Sequence, residues 1–495
     1  MKKMICAAGF LLMLGAVTSC ESFLDETPKS KLTPENSFKT EDDWDNTLTA
    51  AYGALQNITA GFEAKYAITL GEFGTDEVLP FDLGWAAYAE LHYYTFSASH
   101  SFFDNHYTLC YDGIKRCNIV IDMPSEAPVS GQARSLMIAQ AKFVRALLYF
   151  DLVRMYGGVP LWTSASVDKN QIMKPRSTAD DVYGVIVQDL RDAAGVLPPS
   201  WESGSDKGRA TSYAAYALLG RVLLQWGRPG EALTALDQVY GKFHLYDDYA
   251  DIFSPDHKNE EYENIFEVQF KHSGKWGEEG SLQHSYWGPR NIPGSTTAFG
   301  GWGGFGPSQY LYDSYDAEDK RKTAFFWTEF AGIPQTPPAI KKFWDPKYGN
   351  EIENDDLNFI YIRYADVLLM RAEALNAIDD KTDAKYDCLN EVRRRAGLGE
   401  ITAADNLTKQ QFADVLLEER LHELCCEHVR RFDLIRFGRI TETIEELPSE
   451  GGPNNVAVGI DLLKDNWRSY KIWLPVPQLE IDLNPNLEQN AVYAD

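Results

Sequence analysis

Two stretches of the chain repeat the same spacing of small residues. In the first stretch, steps of seven, five and seven residues separate Gly220, Gly227, Ala232 and Val239. In the second stretch, Ala372, Asp379 and Ala384 repeat the first two of these steps. These are the positions at which the two helices of a tetratricopeptide hairpin approach too closely for a bulky side chain. The spacing therefore predicts helical repeats, although ordinary ridge-into-groove packing of helices would produce part of the same pattern.

Apolar periodicity supports a helical body. Between residues 134 and 156, apolar side chains recur at steps of three to five, and Gly157-Gly158 follows as a stop signal. Further helices are predicted over residues 212–226, 229–241, 359–377 and 382–395. Short strands are predicted around residues 265–270 and 340–343. The expected fold class is mostly α, with tetratricopeptide-like helical repeats packed against an irregular, loop-rich region that has a few short strands.

Residues 244–358, the loop-rich region, have a different composition. No helical period persists there, and the region contains Trp276, Trp287, Trp302, Trp327 and Trp344. Long irregular segments in a compact protein are usually functional, so this region is the first place to look for a site. The rest of the body comprises a helical region with the first repeats (residues 51–243) and the C-terminal repeats and tail (residues 359–495).

The first fifty residues predict export and anchoring. Lys2 and Lys3 precede a short apolar segment that has the features of a signal peptide (residues 1–19) and is too short to span a bilayer. The small residues before Cys20 match a bacterial lipobox, in which this cysteine is lipidated. Residues 20–50 would then form a lipidated tether that holds the protein on a membrane without crossing it. A plain secretory signal with an incidental cysteine is the alternative.

Charge and composition exclude two classes of protein. The formal net charge of −26 disfavours nucleic-acid binding, because affinity for phosphate backbones comes from lysine and arginine. A hydrophobic content of 44% with 13% aromatic residues is too apolar for a disordered acidic chain. The protein is therefore expected to be folded, acidic and without a nucleic-acid partner.

Candidate catalytic and metal motifs are weak. His422, Glu423 and Cys426 resemble a zincin motif with cysteine in place of the second histidine, and a helix would put His422 and Cys426 on one face. A core helix with a polar edge is the preferred interpretation, since no third ligand is evident. The cysteines that follow Cys20 are expected to be small buried hydrophobes, namely Cys110, Cys117, Cys388, Cys425 and Cys426. No catalytic residue, metal ligand or cofactor is predicted, and a structural Ca²⁺ stays open, as does a hydrolase among the many carboxylates.

Aromatic side chains in irregular segments point to a sugar site. A sugar ring presents a face of C–H groups that lies well on tryptophan or tyrosine, while its hydroxyls need polar partners. The candidates are grouped in three segments, and they are Phe81, Asp82 and Trp85, then Tyr286, Trp287 and Arg290, then Trp302. The alternative is that each ring packs beneath its own loop. An acidic glycan would in addition need a basic cluster such as Arg290 with nearby lysines.

Five motifs in order resemble the SusD/RagB family, the surface nutrient-capture lipoproteins of Bacteroidetes. They are RALLYFDLVRMYGGVP at 145–160, RYADVLLMRAEALN at 363–376, NEVRRRAGL at 390–398, Glu419-Arg420 with RFDLIRFG at 431–438, and the tail from 474 to 490. The mature opening after Cys20 fits as well, and Glu21, Asp25 and Glu26 resemble the surface-export signal of such lipoproteins.

The resemblance implies a fold, a location and a partner. It implies four tetratricopeptide units in one body (residues 20–495), lipid-anchored at the outer membrane and exposed on the cell surface. It implies a lid over a SusC-like TonB-dependent transporter, with a glycan ligand and no catalysis. The ligand site would use the segment after Thr75-Asp76-Glu77 and the later loops with Tyr286 and Trp302. The segment 81–85 departs from the starch-binding pattern, so which glycan is bound stays open. There are two alternatives. The protein could be a helical-repeat adapter that binds only the transporter, or it could capture a non-glycan nutrient such as peptide.

Overall fold

A computed structural model describes residues 38–59, 66–80, 86–165, 172–202, 204, 206–272, 280–289, 305–345, 347, 355–447 and 456–493. The N-terminal half contains α1 Glu41–Thr59, α2 Tyr66–Glu72, β1 Val78–Pro80, α3 Ala86–His92, α4 Ser101–Ile121, α5 Gly131–Tyr156, α6 Ala179–Val196, α7 Ser212–Gln225 and α8 Pro229–Leu236. The loop-rich region contains α9 Tyr249–Ile252, β2 Asn264–Val268, α10 Gln283–Trp287, β3 Phe305–Pro307, α11 Gln309–Ser314, α12 Lys320–Phe325, β4 Phe326–Phe330 and β5 Ile333–Ile340. The C-terminal part contains β6 Phe359–Arg363, α13 Tyr364–Ile378, α14 Ala384–Ala396, α15 Lys409–Glu423, α16 Arg430–Arg436, α17 Ile440–Glu446, α18 Val456–Asn466 and α19 Gln478–Leu483.

The long helices form one continuous array. In order, α1 packs on α4, α4 on α5, α5 on α6, α6 on α7 and α7 on α8. The order then continues from α8 to α13, and α13 packs on both α14 and α15. Contact between sequential neighbours is the architecture of helical repeats, so the predicted mostly α, tetratricopeptide-like fold is confirmed. Because α8 and α13 touch, the loop-rich region between them leaves the array and returns to it.

The small-residue spacing has a direct structural reason. A Cβ atom placed on Gly220 would lie 2.5 Å from the side chain of Leu236, so α7 and α8 can approach only because residue 220 lacks a side chain. Local signals set the helix ends. Thr178 and Thr408 form capping boxes with Asp181 and Gln411 at the starts of α6 and α15. Helix α8 ends at Leu236, five residues before the predicted end.

Two segments differ from the sequence-based expectation. Residues 359–363, predicted as the start of a helix, form strand β6, which pairs antiparallel with β2. This strand is apolar on both faces because it is buried, so its pattern could not be distinguished from that of a buried helix. The second predicted strand is displaced, since β5 begins at Ile333, seven residues before the predicted start, and ends at Ile340, three residues before the predicted end. The first predicted strand is present as β2.

The folded body begins earlier than the predicted tether boundary at residue 50. Helix α1 begins at Glu41 and buries Trp44 and Leu48 in the core. Residues 41–50 are therefore part of the helical array, where α1 packs on α4. The five cysteines that follow Cys20 in the sequence are free and buried, as expected. Among the residues that the structure describes, no helix is long and apolar enough to cross a membrane.

Candidate functional site

Two short strands bring distant loops to one place. Strands β1 and β3 form an antiparallel ladder in which Val78 pairs with Pro307, Leu79 with Gly306 and Pro80 with Phe305. Paired Cα atoms in such a ladder are about 4.5–5.5 Å apart. The chain therefore leaves β1 and enters β3 at the same end of the ladder, through Pro80 and Phe305.

This end joins two of the three predicted aromatic segments. The segment with Phe81, Asp82 and Trp85 follows Pro80, and Trp302 lies three residues before Phe305. These four residues lie outside the described residues, as do Arg290 and Cys20. Pro80, which precedes the first segment, and Phe305, which follows Trp302, pair across the ladder.

The Thr75-Asp76-Glu77 triplet holds the ladder on the helical array. Arg430, at the start of α16, donates two hydrogen bonds to the buried carboxylate of Asp76, at 2.9 and 2.6 Å. The hydroxyl of Ser308 donates to the carbonyl of Asp76 at 2.5 Å, and its amide donates to the carbonyl of Glu77 at 2.8 Å. The ladder is thus fixed at its inner end, next to the array, while its other end carries the aromatic segments.

A pair of buried carboxyl groups lies beside this attachment. Glu77 accepts a hydrogen bond from the amide of Cys426 at 2.7 Å, and Glu72 accepts one from the amide of His428. Burial raises the pKa of Glu72 well above its ordinary value, and the negative charge of Glu77 raises it further. Burial also raises the pKa of Glu77. The glutamate of the triplet is therefore part of the support beneath the ladder.

The remaining predicted segment, which contains Tyr286 and Trp287, lies beneath the ladder. Helix α10 packs against β3 and carries Tyr286 and Trp287, which are 0% and 1% exposed. The Trp287 ring is 6.1 Å from Phe343 and 6.4 Å from His428, centroid to centroid. The structure thus places both rings in the interior, and their role as ligand contacts stays a prediction.

Two sequence profiles match the chain. A profile described as starch-binding associating with the outer membrane, SusD-like, matches residues 22–224, and the SusD family profile matches residues 331–493. The chain belongs to the SusD/RagB family. It is 26% identical to SusD-like protein P25 of Formosa agariphila, over 97% of this chain and 96% of the relative.

Solved SusD-like structures have the same fold. Surface glycan-binding protein A from Bacteroides uniformis is 25% identical, with a TM-score of 0.75 over 92% of this chain and 100% of that one. A SusD homologue from Bacteroides thetaiotaomicron is 22% identical, with a TM-score of 0.78 over 92% of this chain and 98% of that one. The helical array and the loop-rich region of this SusD-like protein are therefore features of the family fold.

In this SusD-like protein, Glu423 of the zincin-like motif belongs to a buried ion cluster. Helix α15 ends at Glu423, and Cys426 lies beyond it with φ of 61°, so the expected common helix face for His422 and Cys426 is wrong. Glu423 accepts hydrogen bonds from Arg363 at 2.6 Å and Arg395 at 2.5 Å, and from Arg321 at 3.2 Å. Burial alone would raise the pKa of Glu423, but these guanidinium groups hold it far below its ordinary value.

These four residues, the Glu423 cluster, join the two regions. Arg321 lies in the first turn of the loop-rich region's α12, Arg363 ends β6, and Arg395 and Glu423 belong to array helices. All four side chains are at most 5% exposed. Sequence analysis missed this role and that of Arg430. The motifs at 363–376 and 390–398 contain Arg363 and Arg395, but a motif does not specify the carboxylate with which an arginine pairs.

Proposed function

We propose that this protein is a non-catalytic, cell-surface glycan-binding lipoprotein that captures oligosaccharide or polysaccharide and acts as the lid of a SusC-like TonB-dependent transporter. The observation that carries the glycan site is the register of the β1–β3 ladder, which joins the segments of Trp85 and Trp302 at one end. The 25% identical surface glycan-binding protein A supports the same class of ligand.

The chemistry of these segments suits a sugar. Trp85 and Trp302 offer flat apolar faces, and Asp82 and Arg290 offer acceptors and donors for hydroxyl groups. A ladder fixed to α16 through Asp76 and Arg430 provides a rigid support, which lowers the entropy cost of binding. The polar side chains of these segments would then select the glycan, and stacking on the tryptophan rings would provide most of the affinity.

Calorimetry of the lipid-free mature chain against plant, microbial and host polysaccharides tests the ligand class. We expect binding to one class, and Trp302→Ala should weaken it by about 1–3 kcal/mol because a large aromatic contact is removed. Trp226→Ala is the matched control, since Trp226 lies at the end of α7 in the array. Absence of binding by the unsubstituted chain to every glycan would contradict the proposal, and would favour an adapter or another cargo.

The anchor and the transporter require a separate experiment. Cys20→Ala should release the protein from outer membranes, because the lipid chains are its proposed attachment. The Cys20 form, solubilised in detergent, should co-purify with a TonB-dependent barrel. Recovery of the protein without any barrel would contradict its proposed role as a transporter lid. The proposed glycan site would be unaffected by that result.

Absence of catalysis is tested with the same ligand. Purified protein should release no reducing ends from the glycan that it binds. Release that disappears when one carboxylate is changed to its amide would overturn the proposal and indicate a hydrolase.

A further inference from the structure

A cavity lined by aromatic residues opens in the loop-rich region. It has a volume of about 460 Å³, within the range of about 300–1,000 Å³ that is common for small-molecule sites. Its walls come from α9, the end of α12, β4 and the segment after β5. None of the described lining residues belongs to β1, β3 or α10, so the cavity is distinct from the β1–β3 ladder.

Two tryptophans form one wall. The rings of Trp327 and Trp344 meet edge to face, with centroids 5.3 Å apart and planes at 80°. Phe330 packs against both, at 4.6 Å from Trp327 and 5.1 Å from Trp344. Both tryptophans are only half-buried, so each still presents part of its ring to the cavity.

The floor is rigid. Phe325 is buried, and the ammonium group of Lys342 lies 3.9 Å from the centre of its ring. The same ammonium donates to the carboxylate of Glu427 at 2.7 Å and to the carbonyl of Cys425 at 2.9 Å. Glu427 in turn accepts from Arg363 of the Glu423 cluster at 2.7 Å. The cavity floor is therefore held by the same buried charges that hold the loop-rich region on the array.

The rim carries charged groups of both signs. Lys341 and Asp256 are exposed at the opening. Lys258 donates to the carbonyls of Phe270 and Asp356, at 3.3 Å each, and so fixes the opposite wall. Sugar hydroxyls donate and accept hydrogen bonds, so a rim with both ammonium and carboxylate groups suits them.

We propose that this cavity is a second carbohydrate-binding subsite, in which a pyranose ring stacks on Trp327 and Trp344 and its hydroxyls bind the rim. The inference rests on the proposed function for the class of ligand, but it uses none of the residues of the ladder site. Trp344 also lies close to the support of the ladder site. A Cβ on Gly288, which follows α10, would lie 3.5 Å from the Trp344 ring. Helix α10 packs on β3, so the second subsite shares a wall with the support of the first.

The test uses the lipid-free mature chain and short oligosaccharides of the glycan that it binds. Calorimetry should give two sites per chain. Trp302→Ala should weaken the ladder site and leave the second site unchanged. Trp327→Ala should weaken the second site about tenfold or more and leave the first unchanged.

A second variant guards against misfolding at Trp327. Ala250 is an exposed lining residue, so Ala250→Trp fills the opening from the surface without removing a core contact. It should abolish the second site while the thermal unfolding midpoint stays that of the unsubstituted chain.

The outcomes separate this subsite from the proposed function. One site per chain, with an affinity that neither Trp327→Ala nor Ala250→Trp alters, would overturn the subsite and leave the glycan-binding function standing. An unsubstituted chain that binds no glycan would overturn both. Binding of a peptide that Ala250→Trp blocks, without any sugar binding there, would overturn the carbohydrate assignment.

Discussion

The helical array and the loop-rich region differ in the length of their elements and in what holds those elements in place. In the array, every residue of 143–156 in α5 is buried, and the helix packs on α4 and α6 through apolar side chains together with buried ion pairs such as Arg145–Asp189. The loop-rich region has short elements, and the buried charges of the Glu423 cluster join it to the array. The Asp76–Arg430 pair holds the segment before β1, the strand with which the region's β3 pairs. Apolar packing is non-directional and tolerant, whereas buried ion pairs need exact partners. The region that carries the proposed ligand sites therefore depends on a few side chains.

The largest expected effect comes from breaking the Glu423 cluster. Glu423→Gln removes the one carboxylate that Arg363, Arg395 and Arg321 share. Arg363 and Arg395 keep Glu263, and Arg321 keeps Glu419, so the free energy of unfolding should fall by about 3 kcal/mol, the lower end for a broken buried ion pair. Urea denaturation measures this. Glu231→Gln is the control, because the ion pair between Glu231 and Arg191 is exposed and worth at most about 1 kcal/mol. Equal losses in the two variants would contradict the comparison between the regions.

Crowding the array should have a smaller effect. Gly220→Val places side-chain atoms against Leu236 in a closely packed interface and should cost about 1–3 kcal/mol. Gly184, in α6, has no atom within 4 Å of a Cβ at its position. Gly184→Ala should therefore stabilise by about 0.5–1 kcal/mol, since alanine is the better helix former. A higher thermal unfolding midpoint in Gly220→Val would contradict this prediction, because it would show that α7 and α8 move apart without a cost in stability.

The last effect depends on pH and concerns the carboxyl pair beneath the ladder. The folded state holds a proton on Glu72 more tightly than the unfolded chain does, because burial raises its pKa above the ordinary value of about 4.3. That contribution to stability is present at low pH and is lost as pH rises from about 4.3 through the folded pKa.

Glu72→Gln mimics the protonated form and keeps an acceptor for the amide of His428. The variant should gain stability relative to the unsubstituted chain as pH rises, by at most about 1.4 kcal/mol per pH unit. Denaturation between pH 5 and pH 8 measures the difference, with Glu231→Gln again as control. A difference that is constant across this range would show that Glu72 is ionised throughout.

Much of the array could be predicted because its signals are local. Helix α5 was delimited by apolar periodicity and the Gly157-Gly158 stop, and the α7–α8 hairpin by small residues. Strand β6 was missed because its partner β2 lies about a hundred residues earlier, and a buried strand has no alternation to reveal it. The aromatic segments of the site could be named from the sequence. That two of them border the same end of the ladder depends on the pairing of Pro80 with Phe305.

The sequence by itself determined the helical repeats, the buried cysteines and the family, because periodicity, small-residue spacing and ordered motifs are all written along the chain. Only the tertiary structure decided how the carboxylates and arginines pair. Asp76 and Arg430 are 354 positions apart, and nothing local to either residue specifies the other. A buried charge is stable only with its partner, and that partner is chosen by the fold as a whole. The Trp327–Trp344 cavity has the same origin, since its walls come from elements that meet only after the chain has folded.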